Sequence, residues 1–106
     1  MASVKKIILV TAEHHPSHKF FKQLAEKLAE EFGAELEIKI EDYVFLIEHG
    51  DTDEFGMSWV PQILAELEDG RIVKVLTKPV LTGMGAIDEE GSYQAARKAL
   101  EEALQQ

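Results

Sequence analysis

The chain has 106 residues, of which 45% are hydrophobic, so we expect one domain with its own core over residues 1–106. Its 20 acidic and 11 basic residues give a net charge of −9, which argues against a protein that binds nucleic acid. The chain has no cysteine, which excludes disulfides and thiolate chemistry. Without an apolar run of about 18 residues or a signal-peptide pattern, we expect a cytoplasmic protein that does not interact with membranes.

The first forty residues have the pattern of a strand, a helix and a second strand. Residues 7–10 form a short apolar run rich in β-branched side chains, typical of a strand that is buried on both faces. Apolar residues recur at helical spacing over 20–32, and Gly33 ends that pattern. Residues 35–40 alternate between charged and apolar side chains, which predicts a strand with one solvent-facing side. This order predicts a β-α-β unit whose two strands are parallel.

The second half of the chain is predicted to contribute a short helix, two strands and a final helix. Their expected ranges are 42–49, 63–67, 71–76 and 88–104. Gly50 ends the short helix, and Asp69-Gly70 is typical of a hairpin turn between the two strands. All the elements together predict an α/β fold, with one mixed four-stranded sheet and helices on both of its faces.

The junction between the first strand and the first helix carries an unusual set of side chains, five of which are polar. In order along the chain these are Glu13, His14, His15, Pro16, Ser17 and His18. Proline suits the first turn of a helix, because its missing N–H would have no partner there in any case. Neutral imidazole can act as a base or as a metal ligand, so this junction is the main candidate site.

The order of elements and two local motifs resemble the thioredoxin and glutaredoxin family. The first motif is HPSH at 15–18, which lies where the family carries Cys-Pro-x-Cys. The second is WVPQI at 59–63, before the hairpin, where the family has Val-Pro or Ile-Pro with a cis peptide bond. The resemblance implies a thioredoxin-like fold with a pocket at the helix N-terminus. The pocket residues that it implies are Pro16, Ser58, Trp59, Val60 and Pro61.

Both positions at which the family carries cysteine are histidine in this chain, at His15 and His18. Thiol–disulfide exchange needs a thiolate, so the usual activity of the family is excluded here. The helices are also rich in Glu, Lys, Ala and Leu. These features lead to the hypothesis of an engineered protein, in which a new site has been built into a thioredoxin-like scaffold.

The leading hypothesis for that site is an ester hydrolase that acts by acyl transfer on a small-molecule ester and needs no cofactor. Ser17 would be the nucleophile, close to helix N–H groups that can stabilise an oxyanion. Glu13 would orient the histidine that accepts the proton. The bases available are His14, His15 and His18. Ser58, three residues before Pro61, is the second candidate nucleophile.

Two alternatives remain open. The histidines at 14, 15 and 18 have the ligand type and spacing to bind zinc, copper or nickel, with Glu13 or Asp51 as further ligands. They could equally be solvated loop residues, in which case the domain is a non-catalytic scaffold or binding module.

Overall fold

The computed structural model describes residues 3–106, which form a four-stranded sheet and three helices. The elements in chain order are β1 (Val4–Thr11), α1 (His18–Phe32), β2 (Glu35–Ile40), α2 (Tyr43–His49), β3 (Gln62–Leu67), β4 (Ile72–Leu76) and α3 (Glu89–Leu104). The strand order is β2-β1-β3-β4. β1 and β2 are parallel, whereas β1 with β3 and β3 with β4 are antiparallel. The predicted α/β fold with one mixed sheet and a parallel β-α-β unit is confirmed.

β1 is buried on both of its faces, as its continuous apolar run predicted. Ile7 and Leu9 pack with residues of α1 and α3 on one face of the sheet. Ile8 and Val10 pack with Leu46 of α2 on the other face, because successive side chains of a strand point to opposite sides. The helices therefore cover both faces of the sheet, with α1 and α3 together and α2 opposite them.

α1 is anchored to the sheet along its whole length. Phe21, Leu24 and Leu28 on one side of the helix are buried in the core formed with β1. The helix ends at Gly33, whose φ of 64° lies in the left-handed region that glycine adopts without a steric penalty. This anchoring holds the first turn of α1, and with it the HPSH motif, just beyond the C-terminal end of β1.

The segments on either side of β3 agree with the two predictions made for them, a cis proline bond before the strand and a hairpin turn after it. The Val60–Pro61 peptide bond is cis, as the resemblance implied. Gly70 has a φ of 92° in the turn between β3 and β4, and the N–H of Leu67 donates to the carbonyl of Arg71 across that turn. The cis bond lies at the end of the α2–β3 loop (residues 50–61), immediately before the first residue of β3.

β2 differs from the simplest interpretation of its alternating pattern. Its apolar side chains do lie on one face, but Ile38 is 39% exposed and Ile40 is 49% exposed. The reason is the position of the strand, because within residues 3–106 β2 lies at one edge of the sheet and has β1 as its single neighbour. A side chain at the edge is covered from one side only. Among the described residues, no helix is long and apolar enough to span a membrane.

Candidate functional site

A cavity of about 310 Å³ lies where the N-terminal end of α1 meets the α2–β3 loop and the start of the β4–α3 loop (residues 77–88). Its lining residues are His15, Ser17, Phe21, Trp59, Val60, Pro61, Thr77, Lys78 and Pro79. The two motifs therefore meet in one place, as the resemblance implied. The contribution of residues 77–79 was missed, because that segment carries no motif and no periodicity that would mark it.

His15 contributes an oriented imidazole to the cavity. Its Nδ1 accepts a hydrogen bond of 3.0 Å from the backbone N–H of Ser17. A ring nitrogen that accepts carries no proton, so the proton of the neutral ring is on Nε2. His15 can thus donate a hydrogen bond through Nε2, whereas its Nδ1 is already occupied. The backbone is held as well, since the N–H of His15 donates to the carbonyl of Ala12 at 3.0 Å.

Ser17 occupies the N-cap position of α1 but does not cap the helix with its side chain. Its φ of −94° and ψ of 1° differ from the extended conformation from which a serine usually caps. Within residues 3–106, no hydrogen bond joins the Ser17 hydroxyl to any histidine. The hydroxyl is therefore available to a molecule in the cavity, but the structure does not show it paired with a general base.

The other residues of the junction lie outside the cavity lining, and these include Pro16, which was predicted to belong to the pocket. His18 Nδ1 and the hydroxyl of Thr11, a fully buried residue at the end of β1, share a hydrogen bond of 2.9 Å. His14 and Glu13 are exposed, and so is Pro16. The three histidines thus have three different environments. Over residues 3–106, the structure contains no cluster of three or more His, Asp or Glu residues with the geometry of a metal site.

Ser58, the second candidate nucleophile, takes part in a structural network. Its hydroxyl donates to the carbonyl of Asp51 at 2.7 Å and accepts from Nε2 of Gln62 at 3.2 Å. It is not among the residues that line the cavity. Ser58 therefore holds the α2–β3 loop together rather than facing a ligand.

Gln62 is the centre of that network, and it was not among the predicted site residues. Its side chain is fully buried. The Oε1 atom accepts from the backbone N–H of Asp51 at 2.9 Å, and Nε2 donates to the carbonyl of Trp59 at 2.9 Å and to that of Asp51 at 3.1 Å. A polar residue directly before the apolar run 63–65 of β3 was the available indication, because a buried amide must find partners.

Trp59 connects the two loops that flank the cavity. Its indole N–H donates to the carbonyl of Thr77 at 2.8 Å. The Nζ atom of Lys78 lies 5.0 Å from the centroid of the indole ring, within the range of a cation–π contact. These contacts fix the ring as one wall of the cavity, which agrees with the predicted pocket position of Trp59.

The cavity has a basic side chain in its lining, whereas the chain as a whole is acidic. Among residues 3–106, Lys78 is the one charged residue in that lining. The nearby Asp51 carboxylate is engaged by Lys74 Nζ at 2.7 Å and by the Thr77 hydroxyl at 2.5 Å. These two hydrogen bonds, that of Lys74 first, lower the pKa of Asp51 below its usual value, and the charge of Lys78 adds to the effect.

Comparison with known proteins adds no relative whose function could guide the interpretation of this site. The chain matches no family model, no characterised protein and no solved structure. The chemistry of the cavity is therefore the basis for a functional proposal.

Proposed function

We propose that the chain is a thioredoxin-like domain whose cavity binds a small organic anion with an aromatic or aliphatic body. Three observations support the fold assignment: the strand order β2-β1-β3-β4, the HPSH motif between β1 and α1, and the cis bond before β3. The absence of cysteine removes the redox chemistry of the family, but the cavity itself can still hold a ligand.

The observation that carries the proposal is the composition of the cavity lining. Phe21, Trp59 and Pro61 supply apolar walls, and Lys78 supplies a positive charge. No carboxylate belongs to the described lining, and the nearby Asp51 carboxylate is hydrogen-bonded to Lys74 and Thr77. Ligand sites in proteins combine mostly apolar walls with a few placed polar groups. A volume of about 310 Å³ lies at the small end of such sites, which favours a compact ligand such as an aromatic carboxylate.

The polar groups of the cavity are suited to a carboxylate. His15 offers its Nε2–H as a donor, and the Ser17 hydroxyl lies in the same lining. A carboxylate accepts several hydrogen bonds, and those from charged donors are the strongest. A ligand that placed its carboxylate toward Lys78 and its ring against Trp59 would use both halves of the lining.

The test is a titration with benzoate and with the neutral benzyl alcohol, followed by the fluorescence of Trp59, the one tryptophan of the chain. Lys78→Gln should weaken benzoate binding by about fivefold, which corresponds to one partly exposed charged contact, and leave benzyl alcohol unaffected. Lys98→Gln on the exposed surface of α3 is the matched control. Equal affinity of the wild type for both compounds would contradict a preference for anions.

Ester hydrolysis is a second candidate, favoured by one observation: Ser17 and His15 line the same cavity. The base would have to become available by rotation of the imidazole away from the N–H of Ser17. Turnover of p-nitrophenyl acetate should then fall in both Ser17→Ala and His15→Ala, with free imidazole at the same concentration as the control. Equal rates in wild type and Ser17→Ala would remove this candidate. The histidine metal site and the engineered origin stay predictions.

A further inference from the structure

The outer edge of β2 is a free strand edge among residues 3–106. Its pairing with β1 runs without a register shift over six residues, and the strand contains neither proline nor glycine. The other two strand pairings, β1 with β3 and β3 with β4, each contain a register shift. A regular edge of this kind presents a row of backbone N–H and C=O groups that can pair with another strand.

The backbone geometry determines which residues face that edge. The N–H of Glu41 donates to the carbonyl of Thr11 on β1. Alternate residues of a strand direct their N–H and C=O groups to the same neighbour, so Glu37 and Lys39 also face β1. The residues between them direct their backbone groups to the free edge. These are Leu36, Ile38 and Ile40.

We propose that β2 pairs in an antiparallel manner with β2 of a second copy of the chain, about a two-fold axis at Ile38. The two four-stranded sheets then form one continuous sheet of eight strands. Ile38 lies opposite Ile38 of the other copy, and Leu36 lies opposite Ile40, so the half-exposed isoleucines cover one another. This proposal concerns the edge of the sheet and does not depend on the function of the cavity.

Charge complementarity selects this register. With the axis at Ile38, Glu37 of each copy lies opposite Lys39 of the other, which gives two attractive pairs. These are non-hydrogen-bonded pairs, in which opposing side chains come closest. An axis at Lys39 would place Lys39 opposite Lys39, and an axis at Glu37 would place Glu37 opposite Glu37 at its centre, between two Glu35–Lys39 pairs. The same register would bring Glu35 opposite Glu41, but Glu41 has a φ of 50° and leaves the strand direction there.

The charges allow a test that is specific for the register. Glu37→Lys alone and Lys39→Glu alone each replace both attractive pairs of the dimer by repulsive ones. Each variant should raise the dissociation constant of the dimer by about tenfold. An equimolar mixture of the two variants should associate again, because the introduced lysine then faces the introduced glutamate and the native Lys39 faces the native Glu37. Lys98→Glu on α3 is the control for the change in net charge.

Sedimentation velocity over a range of protein concentrations, at about 0.15 M salt, measures the association. Hydrogen exchange adds the location, since the amides of Leu36, Ile38 and Ile40 should become protected as the concentration rises. The proposal is overturned if the wild type stays monomeric at millimolar concentration. It is also overturned if a dimer forms but is insensitive to the two charge reversals, or leaves the amide of Ile38 unprotected, because the contact would then lie elsewhere.

Discussion

Gln62 allows a quantitative test of how the wall of the cavity is held. Its buried side chain joins β3 to the α2–β3 loop through hydrogen bonds to the backbone of Asp51 and Trp59. Gln62→Leu keeps the approximate volume of the side chain and removes all of these bonds. We expect the variant to fold, with a lower free energy of unfolding.

The magnitude follows from the groups that lose a partner. The carbonyl of Asp51 keeps the hydrogen bond from Ser58, so the Asp51 N–H and the Trp59 carbonyl are the two groups affected. An unsatisfied buried group costs about 1–3 kcal/mol, and both residues are only half-buried, so the lower part of that range applies. Gln62→Leu should therefore lower the free energy of unfolding by about 2–3 kcal/mol.

Urea unfolding followed by circular dichroism measures this loss, with an unchanged m-value as the sign that the native state is intact. Gln94→Leu on the exposed side of α3 is the matched control and should change stability by less than about 0.5 kcal/mol. Gln62→Glu should be less destabilising in acid than at neutral pH. The buried position faces carbonyl groups and therefore raises the pKa of the new carboxyl. The protonated carboxyl stabilises the fold at low pH, and this contribution is lost as pH rises. A Gln62→Leu variant as stable as Gln94→Leu would refute the reasoning.

Two further predictions concern neighbouring positions. The hydrogen bond from Lys74 lowers the pKa of the Asp51 carboxyl, so its stabilisation is present above the unfolded pKa, near 3.8, and is lost as pH falls through the folded value. The free energy of unfolding should therefore fall less steeply with decreasing pH in Asp51→Asn than in wild type. The same pH dependence in both proteins would contradict this. In Gly50→Ala the new methyl carbon would lie 2.7 Å from Oε1 of Gln62, which should lower the free energy of unfolding by about 1–3 kcal/mol in urea. Gly83→Ala is the control, because its new methyl carbon has no atom within 4 Å, and its free energy of unfolding should be unchanged. Equal stability of the two variants would show that the neighbours of Gly50 move aside without a measurable cost.

The secondary structure could be predicted because each element has a local signature, either a period or a short apolar run bounded by turn residues. The apolar run that starts at Ile7 and the helical spacing that ends at Gly33 are local properties, and local chemistry is enough to interpret them. The burial of β2 could not be predicted in the same way. Ile38 and Ile40 have the pattern of a covered strand face, and their exposure depends on which strands become neighbours.

The site was predictable in its location more than in its contacts. The motif pointed to residues 13–18 as the candidate site, and of these His15 and Ser17 line the cavity. Whether Ser17 meets a base depends on the orientation of single side chains, which no sequence period encodes. His18 shows this directly, since its hydrogen bond joins it to Thr11, seven residues earlier and at the end of β1. Lys78 reaches the cavity from the segment that directly follows β4, and the sequence offered no motif that would mark this segment.

The network around Gln62 also has a consequence for the entropy of binding. Trp59 is held at two points, by its carbonyl on Gln62 and by its indole N–H on the carbonyl of Thr77. A side chain that is already ordered loses little conformational freedom when a ligand packs against it. This wall of the cavity is thus organised before any ligand arrives, so little of the binding free energy is used to arrange it. Any adjustment on binding is left to Lys78 and the Ser17 hydroxyl, which the network does not hold.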